Sequence, residues 1–420
     1  MTLETTAEHK DNATRQPTAH HLDEYPLGEI AMVQQGYTFS PSYQGQATGK
    51  WLYVKVGDLN AHGNTKYLDR TLNYVDDIVL EEMGATPFPP GSIVFPRVGA
   101  ALRNNNKRIL RYASLTDDNV IVVTVRDTHS CSAEYLYYWF DFQDLQRFCN
   151  DGTVPVINGT NLKRQRVPLP SFALQQEIAS LLSTWDTAIQ LTEQLIAAKE
   201  RHYSGLIRRL INGRSKSESW GHASIRDIAD RVQRQGDGGD YPLLTISSAS
   251  GFIRQEDRYS RYMAGESAKT YTLLRAGEFS YNKGNSKRYE FGCVFQLREY
   301  EAALVPSVYV SFELHESVCA AYMRHLFAAD YLKPQLRALV KTGVRNNGLL
   351  NIKPDEFLGT TVPLPSLEEQ VRIANALDAA RAEVDLLGQQ LDALRTQKRG
   401  LMQKLLTGQW RLPVRKQKGA

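Results

Sequence analysis

Val167-Pro168-Leu169-Pro170-Ser171 recurs as Val362-Pro363-Leu364-Pro365-Ser366, 195 residues further on. The match continues without a gap. Gln175, Ile178, Ala179, Leu182 and Leu191 meet Gln370, Ile373, Ala374, Leu377 and Leu386. Gly205, Leu210 and Gly213 meet Gly400, Leu405 and Gly408. A repeat of this length is a supersecondary module used twice. Each copy follows a long region that differs from its counterpart. The chain therefore reads as two variable units on one scaffold.

Both copies open a long helix. Ser171 and Ser366 are N-cap residues just after a proline, and Glu369 completes a capping-box spacing in the second. Gly213 and Gly408 suit left-handed C-caps. Helices are expected over Ser171–Asn212 and Ser366–Thr407, rods of roughly 60 Å at about 1.5 Å per residue. Leu182, Ile189, Ile196, Tyr203 and Leu210 fall seven apart, as do Leu377, Val384, Leu391, Lys398 and Leu405. Ile373, Ala380, Leu387, Leu394 and Leu401 make a second heptad seam. The first helix breaks its matching seam with Thr192 and Lys199, so part of its surface is expected to meet something else. Leu182, Ile189, Ile196, Tyr203, Leu210, Leu377, Leu387, Leu394, Leu401 and Leu405 are thus expected at helix–helix or partner interfaces. Glu177, Asp186, Glu383 and Asp385 lie early, and Arg201, Arg208, Lys398 and Lys404 late. That gradient suits each helix dipole and favours antiparallel pairing. The mid-helix glycines Gly205 and Gly400 have two readings: close approach of another backbone, or a tolerated weak spot costing about 1 kcal/mol.

The expected fold class is α+β. It comprises two tandem variable domains of similar mixed fold, each followed by a long helix, with the helices paired as an antiparallel coiled coil. The boundaries are a disordered tail at 1–22, a first domain at 23–166, a helical spacer at 167–214, a second domain at 215–361, a second spacer at 362–412 and a basic tail at 413–420. Strands are expected at Trp51–Val56, Val120–Val125, Leu243–Ile246 and Val308–Phe312, and further helices at Ala133–Phe148 and Val318–Leu332. Leu27-Gly-Glu-Ile30 echoes Ile225-Arg-Asp-Ile228, and the stretch ending at Arg97 echoes the one ending at Lys283.

At 420 residues with 42% hydrophobic content, each half can bury a core. The net charge of +4 permits nucleic-acid binding without arguing for it. The four cysteines have no metal or redox spacing, which fits a reduced, cytoplasmic setting. The N-terminus lacks a signal-peptide core, and no apolar run is long enough to span a membrane.

Catalytic motifs are missing. Phe88-Pro89-Pro90 lacks the preceding acid or amide of an amino-methyltransferase motif. Gly45–Lys50 is one residue short of a phosphate loop. No nuclease triad assembles around Pro354-Asp355, and the nine histidines show no ligand spacing, so no metal site is expected. A binding or assembly protein is expected, with no catalytic residue of its own.

Donor-rich loops recur at matched places. The first half carries Gly36-Tyr37-Thr38, then Arg97, Arg103, Asn104, Asn105, Lys107 and Arg108, then Thr153 and Asn158. The second carries Lys283, Asn285, Lys287, Arg288 and Tyr289, then Arg345 and Asn346. Arg and Asn pair bidentately with guanine and adenine edges, and lysines meet phosphates. These residues are the candidate DNA contacts.

The doubled Val-Pro-Leu-Pro-Ser block ending in Gln175 and Gln370, with Gly152-Thr153-Val154-Pro155 ahead of the first copy, resembles the specificity subunit of Type I restriction-modification systems. The resemblance covers roughly residues 25–410. In the second copy Gly343-Val-Arg-Asn-Asn replaces the Gly-Thr-x-Val-Pro pattern. The resemblance implies two domains reading the halves of a split, asymmetric double-stranded DNA site. It implies two methylation subunits and restriction subunits docked in a hetero-oligomer. S-adenosylmethionine, ATP and Mg would belong to those partners, with no cofactor bound by this chain. Two other readings stand beside it: a specificity module of another DNA-modifying system, and a coiled-coil scaffold that binds no DNA.

Overall fold

The structure is a computed structural model and describes residues 22–150, 152–212, 220–258, 270–340 and 349–412. The chain divides into two compact units. One is residues 1–191 with 391–420, and the other is 192–390. Each unit therefore contains a variable region, the start of the helix that follows it, and the end of the other long helix.

In the first unit a five-stranded sheet runs in the order Ala31–Gln35, Val120–Val125, Ile93–Pro96, Arg108–Leu110, Tyr67–Leu68. Val120–Val125 is buried at all six positions, which is why it reads as an unbroken apolar run without alternation. A second sheet joins Tyr74–Val75, Trp51–Val54 and Ser114–Thr116. Trp51–Val54 stops short of the expected Val56, where the chain turns into a 3-10 helix at Val56–Asn60. Glu24–Pro26 pairs antiparallel with Arg166–Pro168, closing the unit where the first long helix begins.

The second unit repeats this plan. Ala229–Val232, Val310–Leu314, Phe279–Asn282 and Cys293–Gln296 form a four-stranded sheet in the order of the first four strands above. Gly221–Ser224 pairs with Thr361–Leu364, the counterpart of the closing pair. In both units a short helix, Leu27–Ile30 or Ile225–Ile228, leads into the edge strand. The weak echoes in sequence thus mark equivalent elements. Leu244–Ser247 and Val310–Leu314 are shifted by one and two residues from the expected starts.

An aromatic helix packs on each sheet. Ala133–Phe142 is capped by Ser132 Oγ, which accepts from Tyr135 N, and buries every residue from Tyr135 to Phe140. It was expected to reach Phe148 but ends at Gln143. There Asn105 Nδ2 and Lys107 Nζ donate to Gln143 O, and Asn105 Oδ1 accepts from Leu145 N. The neighbouring loop takes the backbone groups a longer helix would use, and Leu145–Phe148 continues as a 3-10 turn. The counterpart, Ala320–Ala328, is shorter than the expected Val318–Leu332. Asp330 adopts a left-handed φ of 55°, and Pro334 lies in the first turn of the next helix, Lys333–Leu339. The core of the second unit stacks Tyr281 on Phe357 with centroids 4.2 Å apart, worth about 1 kcal/mol beyond buried area.

The long helices span Phe172–Ile207, continuing as a π-helix over Arg208–Asn212, and Leu367–Leu406. Ser366 Oγ accepts from Glu369 N, and Gly408 takes a left-handed φ of 74° after the second helix. Gly213 lies outside the described residues. The helices run antiparallel. In the first unit Leu182 shares a core with Met402 and Leu405, and Lys398 meets Asp186 at 2.6 Å. In the second, Ile207 and Ile211 share a core with Ile373 and Leu377, and Lys199 meets Glu383 at 2.6 Å. Late basic residues of one helix meet early acidic residues of the other, as the charge gradient implies. Leu377, Val384, Leu391 and Leu405 are buried, while Ile189, Ile196, Tyr203, Leu210, Leu387, Leu394 and Leu401 are half-buried. A Cβ on Gly205 or Gly400 would meet nothing within 4 Å, so close backbone approach is not the reason for either glycine.

Each aromatic helix meets the helix pair through a polar node. In the first unit Lys398 lies between Asp141 and Asp186, and Tyr138 donates to Asp186 at 2.6 Å. Burial opposes the charge on Lys398, yet the two carboxylates hold its pKa above the ordinary value. In the second unit the position matching Lys398 is Tyr203. Its hydroxyl lies 2.8 Å from His325 Nδ1, and His325 Nε2 lies 2.8 Å from Asp378. The neutral ring serves both: Nδ1 accepts from Tyr203 and Nε2–H donates to Asp378. Burial holds His325 below its usual pKa.

Candidate nucleic-acid interface

The strand Ile93–Pro96 delivers Arg97 to a corner of the first unit. Arg97 Nε donates to Asp118 O at 3.1 Å, and Thr38 Oγ1 donates to Asp118 Oδ2 at 3.2 Å. Arg97 O accepts from Ile157 N and Gly99 N donates to Pro155 O, both at 2.9 Å. Val98 forms a bridge with Val156. The segment after Gly152 is thereby fastened beside Arg97. A groove of about 450 Å³ results, lined by Gln34, Gln35, Arg97, Asn150 and Asn158 together with Val33 and Ile121. Asn158 caps the short helix Gly159–Lys163 by accepting from Thr160 N at 2.8 Å. Thr153 is exposed.

The structure brings Thr38, Arg97 and Asn158 to this corner by folding, although they are distant in sequence. It treats their neighbours differently. Gly36 is required by packing, because a Cβ there would fall 2.0 Å from Thr116 O. Tyr37 is braced, with its hydroxyl accepting from Thr86 N at 3.0 Å and its ring near Phe88. Arg103 and Asn104 are exposed on a 3-10 turn. Asn105 and Lys107 are spent on the end of the aromatic helix. Lys107 is only 2% exposed, and burial brings its pKa down to about 8. Arg108 is half-buried and donates to Asn64 O and Lys107 O. The surface donors of this loop are therefore Arg97, Arg103 and Asn104, and Lys107 is withdrawn by the buried carbonyl of Gln143.

The second unit repeats the corner. Lys283 ends the strand equivalent to Ile93–Pro96, and its carbonyl accepts from Leu350 N at 2.9 Å, as that of Arg97 does from Ile157 N. Lys283 Nζ donates to Ile352 O at 3.2 Å. Asn285, Lys287 and Arg288 are exposed on the loop that follows. That loop is closed by Ser286, whose Oγ accepts from Tyr289 N at 3.0 Å. Tyr289 is buried, with the Arg288 guanidinium 5.4 Å from its ring centroid. Arg345 and Asn346 lie outside the described residues.

A cavity of about 580 Å³ in this unit gathers Arg288, Arg298, Arg324 and Arg381 near Tyr203 and His325. Arg324 pairs with Asp378, and Arg381 with Asp385 at 2.8 Å. These residues come from four separate segments, so no spacing in sequence announces the cluster. Among the described residues no group of His, Cys, Asp and Glu suits a metal ion, and no helix is long and apolar enough to cross a membrane.

The Type I restriction modification DNA specificity domain family matches residues 21–201. A putative Type I restriction enzyme specificity subunit, MjaX, of Methanocaldococcus jannaschii is 22% identical over 292 residues, covering 61% of this chain and 62% of that protein. The match thus spans less than two thirds of that relative's length. The S subunit of a Type I system from M. genitalium shares the fold with a TM-score of 0.56 at 13% identity, covering 95% of this chain and 98% of its own. A chain from a structure described for complex assembly and conformational transition of the Type I system gives 0.55 at 14% identity, covering 93% of this chain and 100% of its own. Residues 21–201 thus match a Type I restriction modification DNA specificity domain, and the doubled domain-and-helix plan is the fold of the solved Type I S-subunit chains.

Proposed function

We propose that this chain is the DNA sequence-specificity subunit of a Type I restriction-modification complex. Target-recognition domains at 23–166 and 215–361 each read one half of a split, asymmetric site. The observation that carries this reading is the repeated corner. Arg97 and Lys283 end equivalent strands, and each carbonyl receives the amide of the segment leading into the next helix. Arg97, Arg103, Asn104, Thr153 and Asn158 would meet DNA from one domain, and Asn285, Lys287 and Arg288 from the other. Phosphate contacts would supply salt-dependent affinity, and base edges would supply sequence choice.

Partners dock on the helices and restriction subunits complete the assembly. Leu191 and Leu386, at the same position of the repeat, are 59% and 64% exposed, which suits two equivalent methylation subunits. S-adenosylmethionine, ATP and Mg would be bound by the partners, and the complex would work in the cytoplasm. A methylome of the source cells, with the gene present and deleted, tests the reading. The expected result is loss of adenine methylation at one bipartite motif. An unchanged methylome in a strain with active methylation subunits would overturn it.

A further inference from the structure

Two buried glutamines share a pair of matching bonds in the two units. Gln175 Oε1 accepts from Ser132 N at 2.8 Å, and its Nε2 donates to Pro170 O at 2.8 Å and Ser130 O at 3.0 Å. Gln370 Oε1 accepts from Cys319 N at 2.9 Å, and its Nε2 donates to Pro365 O at 2.8 Å. Ser132 and Cys319 are the N-cap residues of the two aromatic helices. A tyrosine in the first turn of each adds a third strut. Tyr135 donates to Pro168 O at 2.7 Å, and Tyr322 to Pro363 O at 3.0 Å.

The glutamines and prolines are 195 residues apart, whereas the caps and tyrosines are 187 apart. Each clamp therefore crosses from the variable domain, whose length differs between copies, to the constant helix, whose length does not. Neither glutamine is more than 1% exposed, so the bonds form where water cannot replace them. In the first unit local helix capping does not need this. Ser132 already caps its own helix through Oγ. What the clamp adds is a fixed angle between aromatic helix and long helix.

We propose that Gln175 and Gln370 are positioning residues that lock each recognition domain at a set angle to the helix pair, and so sharpen the gap between half-sites that the protein accepts. The inference rests on the split-site reading above. One base pair more or less moves a half-site by about 3.4 Å and rotates it by roughly a tenth of a duplex turn. A rigid joint rejects that displacement, and a loosened one follows it.

The test uses the full chain assembled with its methylation partners. The duplexes carry the motif found by methylome sequencing and differ only in gap length. The wild type is expected to favour one gap over its neighbours by about tenfold or more, the scale of a single mismatch. Gln175→Met is expected to methylate neighbouring gaps at comparable rates with base preference in both halves unchanged, and Gln370→Met to do the same. Tyr135→Phe, which removes only a hydroxyl at the same joint, carries the test if Gln175→Met does not fold, and is expected to broaden the gap preference in part. Folded variants that keep the sharp preference would overturn the clamp alone. A wild type that methylates a contiguous site would overturn the split-site reading and the clamp with it.

Discussion

His325 shows how one buried side chain ties the second variable domain to the helices. Its neutral ring accepts from Tyr203 and donates to Asp378, with Arg324 on the same carboxylate and Arg298 nearby. Burial puts its folded pKa below the ordinary 6.5, so the unfolded state binds the proton first. Stability from this group is therefore present above 6.5 and is lost as pH falls from 6.5 through the folded pKa. Thermal melts across that interval are expected to show a falling Tm in the wild type and a flatter profile in His325→Gln. Identical profiles would mean that the imidazole is not held neutral. No spacing in sequence points to His325, because its partners come from both long helices. The same blindness explains Lys107. It sits in a run of donors that reads as a surface loop, and only the tertiary position of Gln143 shows that it is buried. By contrast Gln175 and Gln370 were visible as repeats, though not what they hold.

The long helices are the most legible elements, because a heptad seam and a charge gradient are local properties of the chain. Lys398 belongs to that seam and looks like a defect in it. In the fold it is a charged node between Asp141 and Asp186, a device that specifies register in a helix pair. The mid-helix glycines were ambiguous in sequence, and the open space at their Cβ positions removes the packing explanation. Gly205→Ala and Gly400→Ala are each expected to stabilise the free chain by about 1 kcal/mol in urea unfolding. Destabilisation by either would point to a contact that the isolated chain does not display. Strand boundaries and the ends of the aromatic helices were less legible, since neighbouring loops and Pro334 decide where those elements stop. The helices also make a ruler testable as such. One heptad inserted after both Ile196 and Leu391 keeps the seam and adds about 10 Å of helix. Selection from a library of all gap lengths is expected to return a preferred gap up to about three base pairs longer, with weaker binding from the added duplex rotation. An unchanged gap, with the insertion verified as helical, would show that something else sets the spacing.

At the scale of the whole molecule, the organising fact is that one plan is executed twice with different loops. Strand order, closing strand pair, glutamine clamp and basic corner recur, while the sequences of the two domains scarcely agree. Duplication was plainest where the scaffold is constant, because packing on the helix pair restricts those residues, and only weak echoes such as Leu27–Ile30 with Ile225–Ile228 marked it inside the domains. The loops are free to differ, so their shared geometry appears only after folding. This division of labour predicts that each domain chooses its half-site alone. Replacing residues 23–166 with the equivalent region of a relative, then sequencing the methylome, measures that independence directly. The account predicts a new first half-site joined to the original second one at the original gap. A swap that altered both half-sites together would contradict it.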